Sequence, residues 1–86
     1  MKDFCSIDNC KTIGNALKLL FPECSFVVHM SYDVLNFAFH IYTSFHDNNN
    51  TEFGMSVYVD DRIDDYSEAL LITVMEFSEM LKGMGY

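Results

Sequence analysis

The sequence contains one proline, four glycines, no tryptophan and only five lysine or arginine residues in 86 positions. So little proline and glycine argues against a linker, a collagen-like repeat or a low-complexity segment. Apolar runs are short, Leu19 to Pro22 being typical, and none approaches the ~20 residues of a membrane-spanning helix. Met1 to Ser6 carry an acid and no apolar stretch, so no secretory leader is expected. No glycine-rich phosphate loop is present. Asp47-Asn48-Asn49-Asn50 lacks the glycine and the distal acid of a calcium-binding hand. Cysteine occurs three times, at Cys5, Cys10 and Cys24. An odd number cannot pair fully within one chain, so free thiols in a cytoplasmic setting are expected.

Apolar material is plentiful: half the residues are hydrophobic and 15% aromatic, with eight Phe and six Met. That suffices for a core and excludes intrinsic disorder. With no linker or repeat, residues 1–86 read as one domain. A chain this short buries roughly 60–65% of its unfolded surface, which leaves little for a deep catalytic pocket. Thirteen acids against five bases give a net charge of −8. The imbalance is local. Residues 1–18 hold Lys2, Lys11 and Lys18 against Asp3 and Asp8, whereas residues 19–86 hold only Arg62 and Lys82 against the remaining eleven acids. Such a surface repels phosphate backbones and anionic lipid, so direct nucleic-acid or membrane binding is not expected. A basic partner is its complement.

Ile7, Cys10, Ile13, Leu17 and Leu20 recur every three or four residues, predicting a helix from Ser6 to Phe21 that Pro22 ends. Ser6 or Asp8 suits its N-cap, and Gly14 suggests close packing against a neighbour. Ser25 to Ser31 read as a first strand, with a turn near Tyr32-Asp33. Leu35, Phe37, Phe39, Ile41, Thr43 and Phe45 alternate with polar residues and predict a second strand with those six facing inward. Asp47 to Asn50 form a loop, and Thr51 to Val59 a third strand with Phe53, Met55, Val57 and Val59 inward. Ile63, Tyr66, Leu70, Val74, Phe77 and Leu81 predict a helix from Asp61 to Lys82, capped by Asp60 or Asp61 and stopped at Gly83. The fold class is therefore α+β: α-β-β-β-α, a three-stranded antiparallel sheet with both helices on one face.

Two surfaces are candidate contact sites. At ~100° per residue, Asp61, Asp65, Glu68, Glu76 and Glu79 share one sector of the last helix, with Ile72 at its centre and Met75 beside it. Eighteen residues of helix would spread this ridge over ~27 Å. Few cations sit at i±4 to offset it, and exposed apolar residues inside a polar rim suit a protein contact. The outward sheet face is the second, with His40, Tyr42 and Tyr58 as its contact residues. Catalytic residues are not expected: no nucleophile lies in a recognisable motif with a base, and His40 and His46 lie ~20 Å apart along their strand. Cys5, Cys10, Cys24 and His29 are spaced superficially like a zinc set. Zinc needs four convergent ligands, however, and Cys10 lies on the helix core side while Cys24 and His29 have opposite strand parity. No metal or other cofactor is expected.

The element order resembles that of double-stranded-RNA-binding domains, which carry a basic cluster at the start of the last helix. Here that stretch reads Asp60-Asp61-Arg62-Ile63-Asp64-Asp65, the opposite charge, so RNA binding is not implied. In size, charge and architecture the chain resembles small acidic anti-defence proteins of bacteriophages, of the anti-CRISPR and anti-restriction type. That resemblance implies a non-catalytic inhibitor in a bacterial cytoplasm, seated on the basic nucleic-acid-binding surface of a nuclease or CRISPR-Cas complex, as monomer or homodimer. The alternative expectation is a homo-oligomeric structural or accessory protein.

Overall fold

The computed structural model describes residues 4–86. Met1, Lys2 and Asp3, which enter the charge count and the expectation of no leader, lie outside the described residues. Helix α1 spans Ile7–Leu20, strands β1, β2 and β3 span Ser25–Asp33, Ala38–His46 and Glu52–Asp60, and helix α2 spans Tyr66–Gly83. The strands form one antiparallel sheet in the order β1-β2-β3. Pairing runs without a break from Ser25↔His46 to Asp33↔Ala38 and from Ala38↔Asp60 to His46↔Glu52. The α-β-β-β-α order and the antiparallel meander expected from sequence are both present. No described helix is long and apolar enough to cross a membrane.

Strand parity puts Phe39, Ile41, Thr43 and Phe45 of β2 on the buried face, beside Met55, Val57 and Val59 of β3. Ile13 and Leu17 of α1 and Ala69, Thr73, Phe77 and Leu81 of α2 close over that same face. Phe4 seals one end of the core, its ring 4.8 Å from that of Phe39 and 5.4 Å from that of Tyr66. Nothing in the helical spacing marked Phe4, which precedes α1. Buried hydroxyls are mostly satisfied: Thr43 donates to the Val27 carbonyl and Thr73 to the Ala69 carbonyl.

Ser6 caps α1 by accepting the Asn9 amide, and the chain leaves the helix at Phe21 just before Pro22, as that proline requires. Lys18 Nζ then donates to the carbonyls of Pro22 and Cys24 at 2.7 and 2.9 Å, tying the end of α1 to the entry of β1. At Gly14 an added Cβ would meet Val28 Cγ2 at 3.6 Å. That is an ordinary contact, so packing does not demand glycine there.

Three expected boundaries need correction. The first strand runs on through Tyr32 and Asp33, the site of the expected turn, because both residues pair with β2. The second strand begins at Ala38 and not at Leu35. Asp33 Oδ1 accepts the amides of Leu35 and Asn36, and Oδ2 accepts the Asn36 side-chain amide. Such an Asx turn takes those backbone groups out of the ladder. Leu35 and Phe37, expected inside, are 86% and 65% exposed. The last helix likewise begins at Tyr66 and not at Asp61. Asp60 binds the Arg62 amide and guanidinium at 2.9 and 2.7 Å, and its carbonyl accepts from Ile63. This local turn outcompetes the helix until Asp65, whose carboxylate accepts the Ser67 and Glu68 amides as the true N-cap.

Candidate functional site

Three surfaces result from this architecture. The first is the solvent side of α2. Seating Ala69, Thr73, Phe77 and Leu81 in the core turns Glu68, Leu71, Met75, Glu76 and Glu79 outward, with Ile72 half-buried among them. Three of the five expected ridge acids, Glu68, Glu76 and Glu79, thus stand on one helix face. They span ~16 Å at the helical rise, instead of the ~27 Å expected. Leu71 and Met75 are more than half exposed between them. The two ion pairs among the described residues are Arg62–Asp60 and His46–Glu52, so no cation among them pairs with the α2 glutamates. Asp65 is at the helix entrance, its carboxylate occupied in capping.

Asp61 belongs to a different surface. It lies in the β3–α2 connection, where its carboxylate accepts the Tyr32 hydroxyl at 2.6 Å and its amide donates to the Phe37 carbonyl. This end of the molecule brings Asp33, Asp60 and Asp61 to the β1–β2 connection, where Val34, Leu35 and Phe37 are exposed. A cleft of about 450 Å³ lined by Asn36, Phe37, Asp60, Asp61 and Arg62 separates the β1–β2 connection from the β3–α2 one. The Arg62 guanidinium holds the Asp60 carboxyl down to about 2. The Asn36 side-chain amide lowers that of Asp33, and the hydrogen bond to Asp61 raises the Tyr32 hydroxyl. Phe37 has φ +51, a left-handed conformation that an L side chain other than Asn or Asp rarely adopts. Alternation along the second strand hid this apolar tip. The Asp33/Asn36 pair was the only signal for it, as both residues favour turns that bond their own backbone.

The open face of the sheet is the third surface. His40 stacks on Tyr58 with ring centroids 4.7 Å apart, and Tyr42 lies 6.5 Å from His29 on the neighbouring strand. His46 comes within 3.8 Å of Glu52 at the far edge. Register therefore brings all three histidines onto one face with Tyr42 and Tyr58. His29, matched in the sequence only with the cysteines, joins this face through its pairing with Tyr42. The Tyr42 hydroxyl lies over Gly54, where an added Cβ would come within 2.5 Å of it. An added Cβ there would push the Tyr42 ring aside.

The cysteines form no fourth site. Burial pushes the thiols of Cys5, Cys10 and Cys24 up from their ordinary value, which disfavours the thiolate needed for attack or metal binding. Among the described residues no three His, Cys, Asp or Glu side chains converge to hold a metal ion. Compared with family models, with curated proteins and with solved structures, the chain matches none.

Proposed function

We propose that this protein is a non-catalytic inhibitor. It occupies the basic nucleic-acid-binding surface of a bacterial nuclease or CRISPR-Cas complex, within the host cytoplasm. The solvent face of α2 carries the reading: Glu68, Glu76 and Glu79 alternate with exposed Leu71 and Met75 on one rigid element, without a neutralising cation among the described residues. Carboxylates at this spacing complement Lys and Arg in a nucleic-acid groove. The apolar side chains between them supply the desolvated centre that protein interfaces use. The absence of catalysis is supported by carboxyl groups lowered, at Asp33, Asp47 and Asp60, and by thiols raised. General-acid and nucleophilic chemistry need the reverse. The resemblance to bacteriophage anti-defence proteins in size, charge and architecture supports the class of partner.

The test has two stages. The immobilised chain is offered bacterial nuclease and CRISPR-Cas complexes, and retained complexes are eluted with duplex DNA or RNA. Retention that nucleic acid competes away is expected. Glu76→Lys with Glu79→Lys should weaken it at least tenfold, a change of ~1.4 kcal/mol, whereas Asp61→Lys should leave it largely intact. Retention untouched by the α2 reversal, or by competing nucleic acid, would refute the assignment.

The open sheet face supports a second reading, self-association, because exposed Tyr42 and Tyr58 form an aromatic patch with His40. Light scattering showing a dimer that Tyr42→Asp dissociates would favour it.

A further inference from the structure

β1 is an edge strand, and its outer side faces a groove. The Val27 carbonyl accepts a bond from Thr43 of β2. By strand alternation the N–H and C=O groups of Phe26, Val28 and Met30 therefore point away from the sheet. Met30's amide is directed at the Cys10 sulfur. Phe26 and Val28 have no comparable partner among the described residues. Edge strands are usually blunted by lysine, proline or a bulge. β1, Ser25-Phe-Val-Val-His-Met-Ser-Tyr-Asp, has none of these, and its nine-residue pairing with β2 is unbroken. β3 carries an acid at each end, Glu52 and Asp60, and Gly54 within, whereas β1 has an acid only at Asp33.

Alongside this edge α1 contributes Ile7, Cys10, Lys11, Gly14 and Lys18 to the wall of a groove of about 720 Å³, with Ser25 to Met30 as the opposite side. The groove is long, partly apolar and bordered by a hydrogen-bonding strand, the form in which domains accept an added strand from a peptide. Its charge is the inverse of the whole. Among the described residues Lys11 and Lys18 line it and no acid does, although the chain carries −8 overall. A second copy is a poor occupant. Two-fold pairing of β1 with itself would set one lysine row against an identical one, between molecules that already repel each other.

We infer that the α1–β1 groove binds an extended acidic segment of a partner protein, which pairs with β1 as a fourth strand and places a carboxylate against Lys11. This surface is separate from the α2 face and stands whether or not that face binds a nuclease.

The probe is a fluorescein-labelled ten-residue peptide of alternating Val and Glu, followed by anisotropy. It should bind, and Val-Lys of equal length should bind at least fivefold more weakly, a difference of ~1 kcal/mol. N-methylation of alternate Val-Glu amides should weaken binding by a similar factor, because it removes only the pairing groups. Lys11→Glu should do likewise. Lys18 is left unchanged because it holds the α1–β1 corner. Glu76→Gln with Glu79→Gln should bind the peptide like the parent, which separates this groove from the α2 reading. Failure of the Val-Glu peptide to bind, equal binding of the methylated or Val-Lys peptide, or a β1-paired dimer in light scattering that excludes the peptide would each overturn the inference.

Discussion

Phe37 carries the sharpest stability prediction. Its φ of +51 places an L side chain in the left-handed region, which costs roughly 1–2 kcal/mol for any residue with a Cβ. The ring is 65% exposed, so it returns little of that cost by packing. Phe37→Gly and Phe37→Ala both remove the ring, so its lost contacts cancel when the two variants are compared. What remains is the strain, kept by Ala and relieved by Gly, set against the extra freedom of unfolded Gly, about 0.4–1 kcal/mol. The Gly variant should therefore be more stable than the Ala variant by about 1 kcal/mol, some 4–8 °C in Tm for a domain of this size. Scanning calorimetry on both variants, with urea melts to confirm an unchanged m-value, measures it directly. The same pair at Phe39, in regular strand and 2% exposed, should rank the other way, with Ala above Gly. An Ala variant equal to or more stable than the Gly variant at Phe37 would refute the argument. A strained, exposed phenylalanine is the kind of residue that chains keep for contact and not for stability, so partner binding is the natural second readout.

Four further outcomes are expected. Asp65→Ala should cost about 1 kcal/mol because it uncaps α2. Asp61→Ala should lose only the Tyr32 hydrogen bond, and thermal melts of the two separate the observed helix start from the expected one. Gly54→Ala should be neutral or destabilising in the parent, where the new Cβ meets Tyr42, yet stabilising by up to ~1 kcal/mol beside Tyr42→Ala, where only glycine's backbone entropy is removed. Gly14→Ala, with ordinary contact distance to Val28, should stabilise α1 by about 1 kcal/mol in the same melts. The Tyr86 hydroxyl donates to Asp47 at 2.7 Å, which raises the tyrosine to about 12 and lowers the carboxyl. A raised tyrosine contributes stability below its unfolded value near 10 and loses it as pH climbs to about 12. The lowered Asp47 loses its contribution as pH falls through its folded value. Tyr86→Phe should thus lower stability most at neutral pH, where both contributions are present, and flatten part of both limbs of a stability–pH curve.

Within the candidate sites, legibility followed how local the deciding interaction is. Glu68, Ile72, Met75, Glu76 and Glu79 could be placed together from helical spacing alone, because one period governs the whole of α2. Likewise His40, Tyr42 and Tyr58 were assigned to the open sheet face from a period of two and two short connections. Asp61 escaped that reasoning. A carboxylate at Asp60 claimed Arg62 and a carboxylate at Asp61 claimed Tyr32, and neither claim shows in a hydrophobic pattern. Leu35 and Phe37 escaped it too, because alternation continues smoothly through a turn that Asp33 and Asn36 impose.

The sequence by itself determined the α-β-β-β-α order, the antiparallel meander, which faces of β2 and β3 are buried, and the clustering of three of the five bases in residues 1–18, since each follows from periodicity, connection length or composition. Only tertiary structure decided that Phe4 closes the core, that Asp61 joins the Tyr32 tip, that His29 meets Tyr42, and that Lys11 and Lys18 flank an open strand edge. Those outcomes depend on residues distant in the chain being brought to one place, and a one-dimensional pattern carries no distance between its elements.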